Sequence, residues 1–156
     1  MKKLKILLAF MLAAVLTVSV GMVSLAAGEN HTITIQNNAP GHTYEAYQIF
    51  TGDLSADGKT FSNIQWGNGI NGENLLNALK TADAGTYGSC KSPSDVAKAL
   101  NSGNAKEFAK IASEYLTETK TTGTYNTTQY TIAGLDDGYY LIKDATAVSG
   151  SDANTE

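Results

Sequence analysis

Gln129-Tyr130-Thr131-Ile132-Ala133-Gly134-Leu135-Asp136-Asp137-Gly138-Tyr139-Tyr140-Leu141-Ile142-Lys143-Asp144 is the stretch whose reading decides the fold. Its first five residues are aromatic or β-branched at alternate positions, which suits a strand with one face buried. Glycine and aspartate then crowd into Gly134 to Gly138 and predict a turn, because these residues tolerate the tight and left-handed backbone a reversal needs. Tyr139 to Asp144 returns to β-forming residues, so the whole stretch predicts a β-hairpin.

Working back toward the N-terminus, a second β-rich run appears at His42-Thr43-Tyr44-Glu45-Ala46-Tyr47-Gln48-Ile49-Phe50. It is preceded by the alternating strand His31-Thr32-Ile33-Thr34-Ile35-Gln36 and the turn Asn37-Asn38-Ala39-Pro40-Gly41. After it, Asp57-Gly58 marks a hairpin turn into a strand from Lys59 to Trp66. Asp53-Leu54-Ser55-Ala56-Asp57-Gly58 resembles the opening of a calcium loop, but the twelfth position, which needs a bidentate glutamate, is Ile64.

Between the early and late β regions the apolar period changes. Asn74 to Lys80 suits a short helix. Ser92-Pro93-Ser94-Asp95 places a hydroxyl cap, a first-turn proline and an acid where a helix begins. Asn104, with Glu107 three residues on, predicts a longer helix whose Phe108, Ile111, Ala112, Tyr115 and Leu116 share one face. Thr117 to Thr128 has no periodic apolar pattern and reads as a loop.

The N-terminus fixes the expected compartment. Met1-Lys2-Lys3-Leu4-Lys5 is a basic start, Ile6 to Leu16 an unbroken apolar run, and Ser24-Leu25-Ala26-Ala27-Gly28 a small-residue exit. That is the pattern of a signal peptide over residues 1–27, cleaved after Ala26 or Ala27, with residues 28–156 as one mature domain. The run could in principle cross a hydrocarbon core of about 30 Å, and the small-residue exit argues against that reading. Three of the lysines leave with the leader and no arginine is present, so the mature part sets 8 lysines against 15 acidic residues. A basic nucleic-acid footprint is therefore absent. So is the cationic amphipathic segment that would hold the mature domain to an anionic membrane.

Catalytic chemistry finds little support. The two histidines, His31 and His42, stand outside any HExxH, triad or zinc-type spacing and read as strand-edge surface residues. Gly67, Gly69 and Gly72 lack the Lys-Ser/Thr that grips phosphate. The single cysteine, Cys90, excludes an intramolecular disulfide and reads as a bystander. Asn30-His31-Thr32 and Asn126-Thr127-Thr128 match glycosylation sequons by composition. No catalytic, metal or cofactor-binding residue is assigned.

Two segments together carry a resemblance: Thr43-Tyr44-Glu45-Ala46-Tyr47-Gln48-Ile49-Phe50, and Gly134-Leu135-Asp136-Asp137-Gly138-Tyr139-Tyr140-Leu141-Ile142. In this order, around a helical segment and behind a signal peptide, they resemble the N-terminal domain of sortase-assembled backbone pilins of Gram-positive bacteria. The resemblance implies a mainly β (α+β) domain: an immunoglobulin-like, collagen-adhesin B-type β-sandwich with an inserted helical segment over roughly Gly72 to Lys120. It implies a secreted, cell-wall-anchored subunit of a pilus shaft, with other copies of the same pilin, a sortase and minor or tip pilins as partners. A surface adhesin module binding a host protein or glycan is the alternative on the same fold. The family's features are only partly present. The Leu-Pro-x-Thr-Gly sorting signal, the acceptor lysine motif and a C-terminal membrane anchor are missing, the only prolines being Pro40 and Pro93. Relatives also form an internal Lys–Asn bond beside a buried acid. Asp144 stands where some place that acid, but His31 to Asn37 offers no lysine, so Asp144 reads as an ordinary strand-end acid. These gaps are expected if the domain lacks its C-terminal strand or strands and further domains come after it, which would leave a sheet edge unpaired.

Overall fold

The computed structural model describes residues 6–7, 31–56 and 58–146. The expected cleavage point and the tail beyond Thr146 lie outside the described residues. Within those residues, eight strands and four helices occur in chain order: β1 (Ile6–Leu7), β2 (His31–Ile35), β3 (Tyr44–Leu54), β4 (Phe61–Trp66), α1 (Gly72–Ala82), α2 (Ala84–Tyr87), α3 (Pro93–Ala99), α4 (Ala105–Ala112), β5 (Thr121–Thr122), β6 (Thr124–Tyr125), β7 (Tyr130–Leu135) and β8 (Gly138–Asp144). The protein is mainly β, with all of these strand pairs antiparallel. One sheet runs β1-β8-β3-β4 with β5 beside the start of β3, and the other runs β2-β7-β6. No helix among the described residues is long and apolar enough to cross a membrane.

Strand β3 is the centre of the molecule, and its alternation divides the core in two. Tyr44 and Ala46 on one face join Ile142 of β8 and Ile35, Tyr130, Ile132 and Leu135 of the second sheet. Tyr47 and Ile49 on the other face join Leu141 of β8 and the helices through Leu75, Leu79, Val96 and Phe108. The two-residue period of a strand accounts for both sets. The register of β3 against β8 shifts between Gln48 and Phe50. An extra residue at such a bulge reverses the facing of the next stretch of strand, which places Phe50 with Ile49 on the helix side. There it stacks between Trp66 at 5.2 Å and Phe108 at 6.2 Å.

The helical insert begins and ends within the expected bounds, and its caps explain its starts. Asn71 caps α1, accepting from the Asn74 amide. At α3, Ser92 and Asp95 form a reciprocal capping box behind Pro93.

Four expectations are corrected. The stretch from Gln129 to Asp144 is not a hairpin: β7 pairs with β2 and β6, whereas β8 pairs with β3 in the other sheet. Gly134, at φ +75°, lies inside β7 where its register against β2 shifts, and the chain crosses to the other sheet after Leu135. The physical reason is burial, since Ile132 and Leu135 of β7 and Leu141 and Ile142 of β8 are all nearly inaccessible. Placed in different sheets, the two strands close on each other: Ile132 and Leu135 of β7 share one cluster with Ile142 of β8. The fourth helix is shorter than its apolar stripe. It stops at Ala112, because the backbone at Tyr115 accepts from the Asn71 amide and the Thr117 amide donates to Gly69. Asn104 does not cap that helix. Its side chain instead accepts from the Asn101 amide and donates to the Ala99 carbonyl. The stretch from Thr117 to Thr128 is not wholly loop, as it carries β5 and β6.

Candidate functional site

Glu45 is the buried charged residue of the described core, 8% exposed in the middle of an apolar strand. It lies opposite Thr122 of β5 on one side and Lys143 of β8 on the other. An isolated carboxylate there would be costly, and two side chains satisfy it. The Lys120 ammonium lies 2.8 Å from Oε1, and the Tyr47 hydroxyl donates to Oε2 at 2.7 Å. Glu45 and Tyr47 are two residues apart, so the strand period puts them on the same face.

The electrostatics state what this cluster can do. Burial pushes the Glu45 carboxyl up, but the hydrogen bonds from Lys120 and Tyr47 outweigh it and hold the group below the usual carboxylate range. The hydrogen bond to Glu45 holds the Lys120 ammonium above its ordinary value. Burial, then the bond to Glu45, pushes the Tyr47 phenol up to about 12. Amide formation between a lysine and a carboxyl needs a neutral amine and a protonated or polarised carbonyl. Here the shifts run the opposite way, toward ammonium and carboxylate. The arrangement is a clamp that fastens the segment leading into β5 onto β3. Sequence reasoning misses both partners, because Lys120 lies in a stretch that reads as loop. The available signal is Glu45 itself, a lone acid within a strand rich in buried apolar residues.

The two histidines form a second pair of clamps. His31 Nε2 lies 2.6 Å from Asp137 Oδ1, tying β2 to the corner between β7 and β8. His42 Nδ1 lies 2.7 Å from Asp144 Oδ2, tying the approach to β3 onto the end of β8. Both rings are half-buried rather than on the open surface. Burial pushes the Asp144 carboxyl up, and hydrogen bonds from Thr146 and His42 more than offset this, leaving it low. Asp144 thus closes the sheet end. Around it, the Tyr130 hydroxyl accepts from the His42 amide and donates to the Ala39 carbonyl, fixing the β2–β3 turn across the sandwiched layer. No group of three or more metal-ligating side chains occurs among the described residues.

The glycines at 67 and 69 serve packing. The Gly67 amide donates to Ile49 and the Gly69 amide to Gln48, and a Cβ on Gly69 would stand 2.5 Å from the Gln48 nitrogen. Gln48 in turn donates to the Asp137 carbonyl and the Tyr140 hydroxyl, both at 3.2 Å. Beside it, Lys120, Asp136 and Tyr140 line a polar hollow of about 90 Å³, well below the several hundred Å³ of a small-molecule site. Cys90 is 4% exposed, and burial followed by the Asp95 charge pushes its thiol up, away from the reactive thiolate. No family model, curated protein or solved structure matches this chain.

Proposed function

We propose that this domain is a structural brick: the N-terminal domain of a secreted, cell-wall-anchored pilus shaft subunit, built as an immunoglobulin-like sandwich of the collagen-adhesin B type. The observation that carries the reading is the pairing of the two motif strands at the heart of one sheet. Ala46 lies opposite Ile142, Tyr47 opposite Leu141 and Phe50 opposite Tyr139. The motif residues therefore form the centre of the sheet, and two of their charged groups, Glu45 and Asp137, are held in clamps with Lys120 and His31. A shaft subunit needs that: side chains spent on holding layers together under tension, with function residing in the stacking of copies.

The test is made in the bacterium that carries the gene. Cell-wall extracts are boiled in detergent and probed with antibody against residues 31–146. A ladder of covalent polymers that collapses to monomer when the partner sortase is deleted is the expected result. A monomer band in wild-type cells, with surface binding to a host protein or glycan, overturns the shaft reading in favour of an adhesin module.

A further inference from the structure

Helix α1 has a face that the core does not use. Leu75, Leu76 and Leu79 are buried, whereas Asn74, Asn77, Ala78, Thr81 and Ala82 fall at the i, i+3, i+4, i+7 and i+8 positions of the other side. Tyr115, in the segment after α4, packs partly on the core and stands beside this face. Together these residues line an open, shallow hollow of about 500 Å³, within the range of a small-ligand site. Ala78 and Ala82 keep it open, because longer side chains there would fill the space beside the ring. Its polar groups are uncommitted. Among the described residues, Asn74 and Asn77 hydrogen-bond only through their backbones, the Asn74 amide donating to Asn71 and the Asn77 carbonyl accepting from Thr81.

The geometry points to this hollow as a binding site for a neutral disaccharide. Each carboxamide sets donors and an acceptor side by side, a pattern that neighbouring sugar hydroxyls complete because each hydroxyl both donates and accepts. A tyrosine offers an apolar ring to the C–H face of a sugar and a hydroxyl at its rim. Asn74 to Ala82 extends about 12 Å along the helix axis, room for more than one ring. No charged side chain lines the hollow, so nothing there compensates a phosphate or carboxylate, and Glu73 and Asp83 at the two ends of α1 would oppose one. A peptide helix would need a continuous apolar groove, which Asn77 and Thr81 interrupt. The site is independent of the shaft reading: a stacking subunit can carry it, and the ladder of covalent polymers does not require it.

The purified protein is titrated with lactose, cellobiose and diacetylchitobiose into the tens of millimolar, and the side-chain NMR signals of Asn74, Asn77 and Tyr115 are followed. The expected result is a saturable shift of all three signals with at least one of these sugars. Asn77 is exposed, so Asn77→Asp keeps the fold, and it should weaken that binding about tenfold through a lost hydrogen-bond donor. Tyr115→Leu, which keeps an apolar contact with the core but removes the ring face, should abolish it. N-acetylneuraminic acid, an anionic sugar, should leave the signals in place. The inference is overturned if none of the three disaccharides moves these signals, if Asn77→Asp binds as tightly as the wild type, or if the anionic sugar binds better than the neutral ones. It is equally overturned if the signals move with protein concentration alone, because a second copy would then fill the hollow.

Discussion

Replacing Phe108 with alanine tests whether the helices and the sheet are one cooperative body. Phe108 is 1% exposed and its ring lies 6.2 Å from that of Phe50, which itself stacks on Trp66. It is therefore the side chain through which α4 reaches the centre of β3. Truncating a buried phenylalanine costs about 3–5 kcal/mol, the lower end applying where the surroundings can collapse into the space. The lower end, about 3 kcal/mol, is taken as the expected cost. That is a large part of the 5–15 kcal/mol of a typical domain, and it corresponds to a fall in Tm of roughly 10–15 °C at this size. Thermal unfolding is monitored by far-ultraviolet circular dichroism and by fluorescence of Trp66, the only tryptophan. Both transitions should fall together and by the same amount. If the helical signal melts early while Trp66 keeps its wild-type transition, the helices are an independent unit. A fall of only a degree or two would show that Phe108 is not the seam.

Removing Lys120 (Lys120→Met) should lower the urea midpoint more than the double replacement Glu45→Gln/Lys120→Met, because the single change strands a buried carboxylate. Equal midpoints would mean that the pair is uncoupled. The intact mass should show no loss of water, since a Lys120–Glu45 amide is disfavoured by the charge state of both groups. Glu45 and Asp144 bind protons less readily folded than unfolded, so the stability they contribute is present above the ordinary carboxylate range. It is lost as pH falls through their lowered folded values, and urea titrations should show Asp144→Asn with a shallower loss on acidification. Ultraviolet titration of the eight tyrosines should reveal a late group, with Tyr47, Tyr139 and Tyr140 ionising only at about 12; a single wave near the ordinary value would show these rings to be exposed. Cys90 should resist alkylation in the folded protein and react on unfolding, so rapid native labelling would contradict its burial.

Much of the architecture was legible because local chemistry specified it. The Ser92-Pro93-Ser94-Asp95 start is a complete capping signal within four residues, and it is used as written. The run from His42 to Phe50, rich in aromatics and β-formers, was legible as a strand, while its two apolar faces, one toward a second sheet and one toward a helical layer, came only with the structure. Where local signals had to be weighed against distant partners, the reading failed. Asn104 carries a good cap side chain but spends it on Asn101 and Ala99. The apolar stripe through Tyr115 and Leu116 is real, yet those residues reach the core after the helix has ended, because Leu116 bridges to Ile70. The site was the least legible part. Lys120 and Glu45 are far apart in the chain and join only when β5 lies beside β3.

The sequence by itself determined the longer strands β2, β3, β4, β7 and β8 and the helices α1, α3 and α4, though not α2, β5 or β6, since period, caps and turn residues act within a few positions of one another. It also set the acidic balance and confined cysteine chemistry to one thiol. Only the tertiary structure decided that β7 and β8 lie in different sheets, that Phe50 turns to the helices, and that Glu45, His31 and His42 each find a partner. Those outcomes depend on which surfaces bury one another and on where charges can be compensated. Such balances are struck between residues about a hundred positions apart in the case of the histidine clamps, and no local pattern carries them.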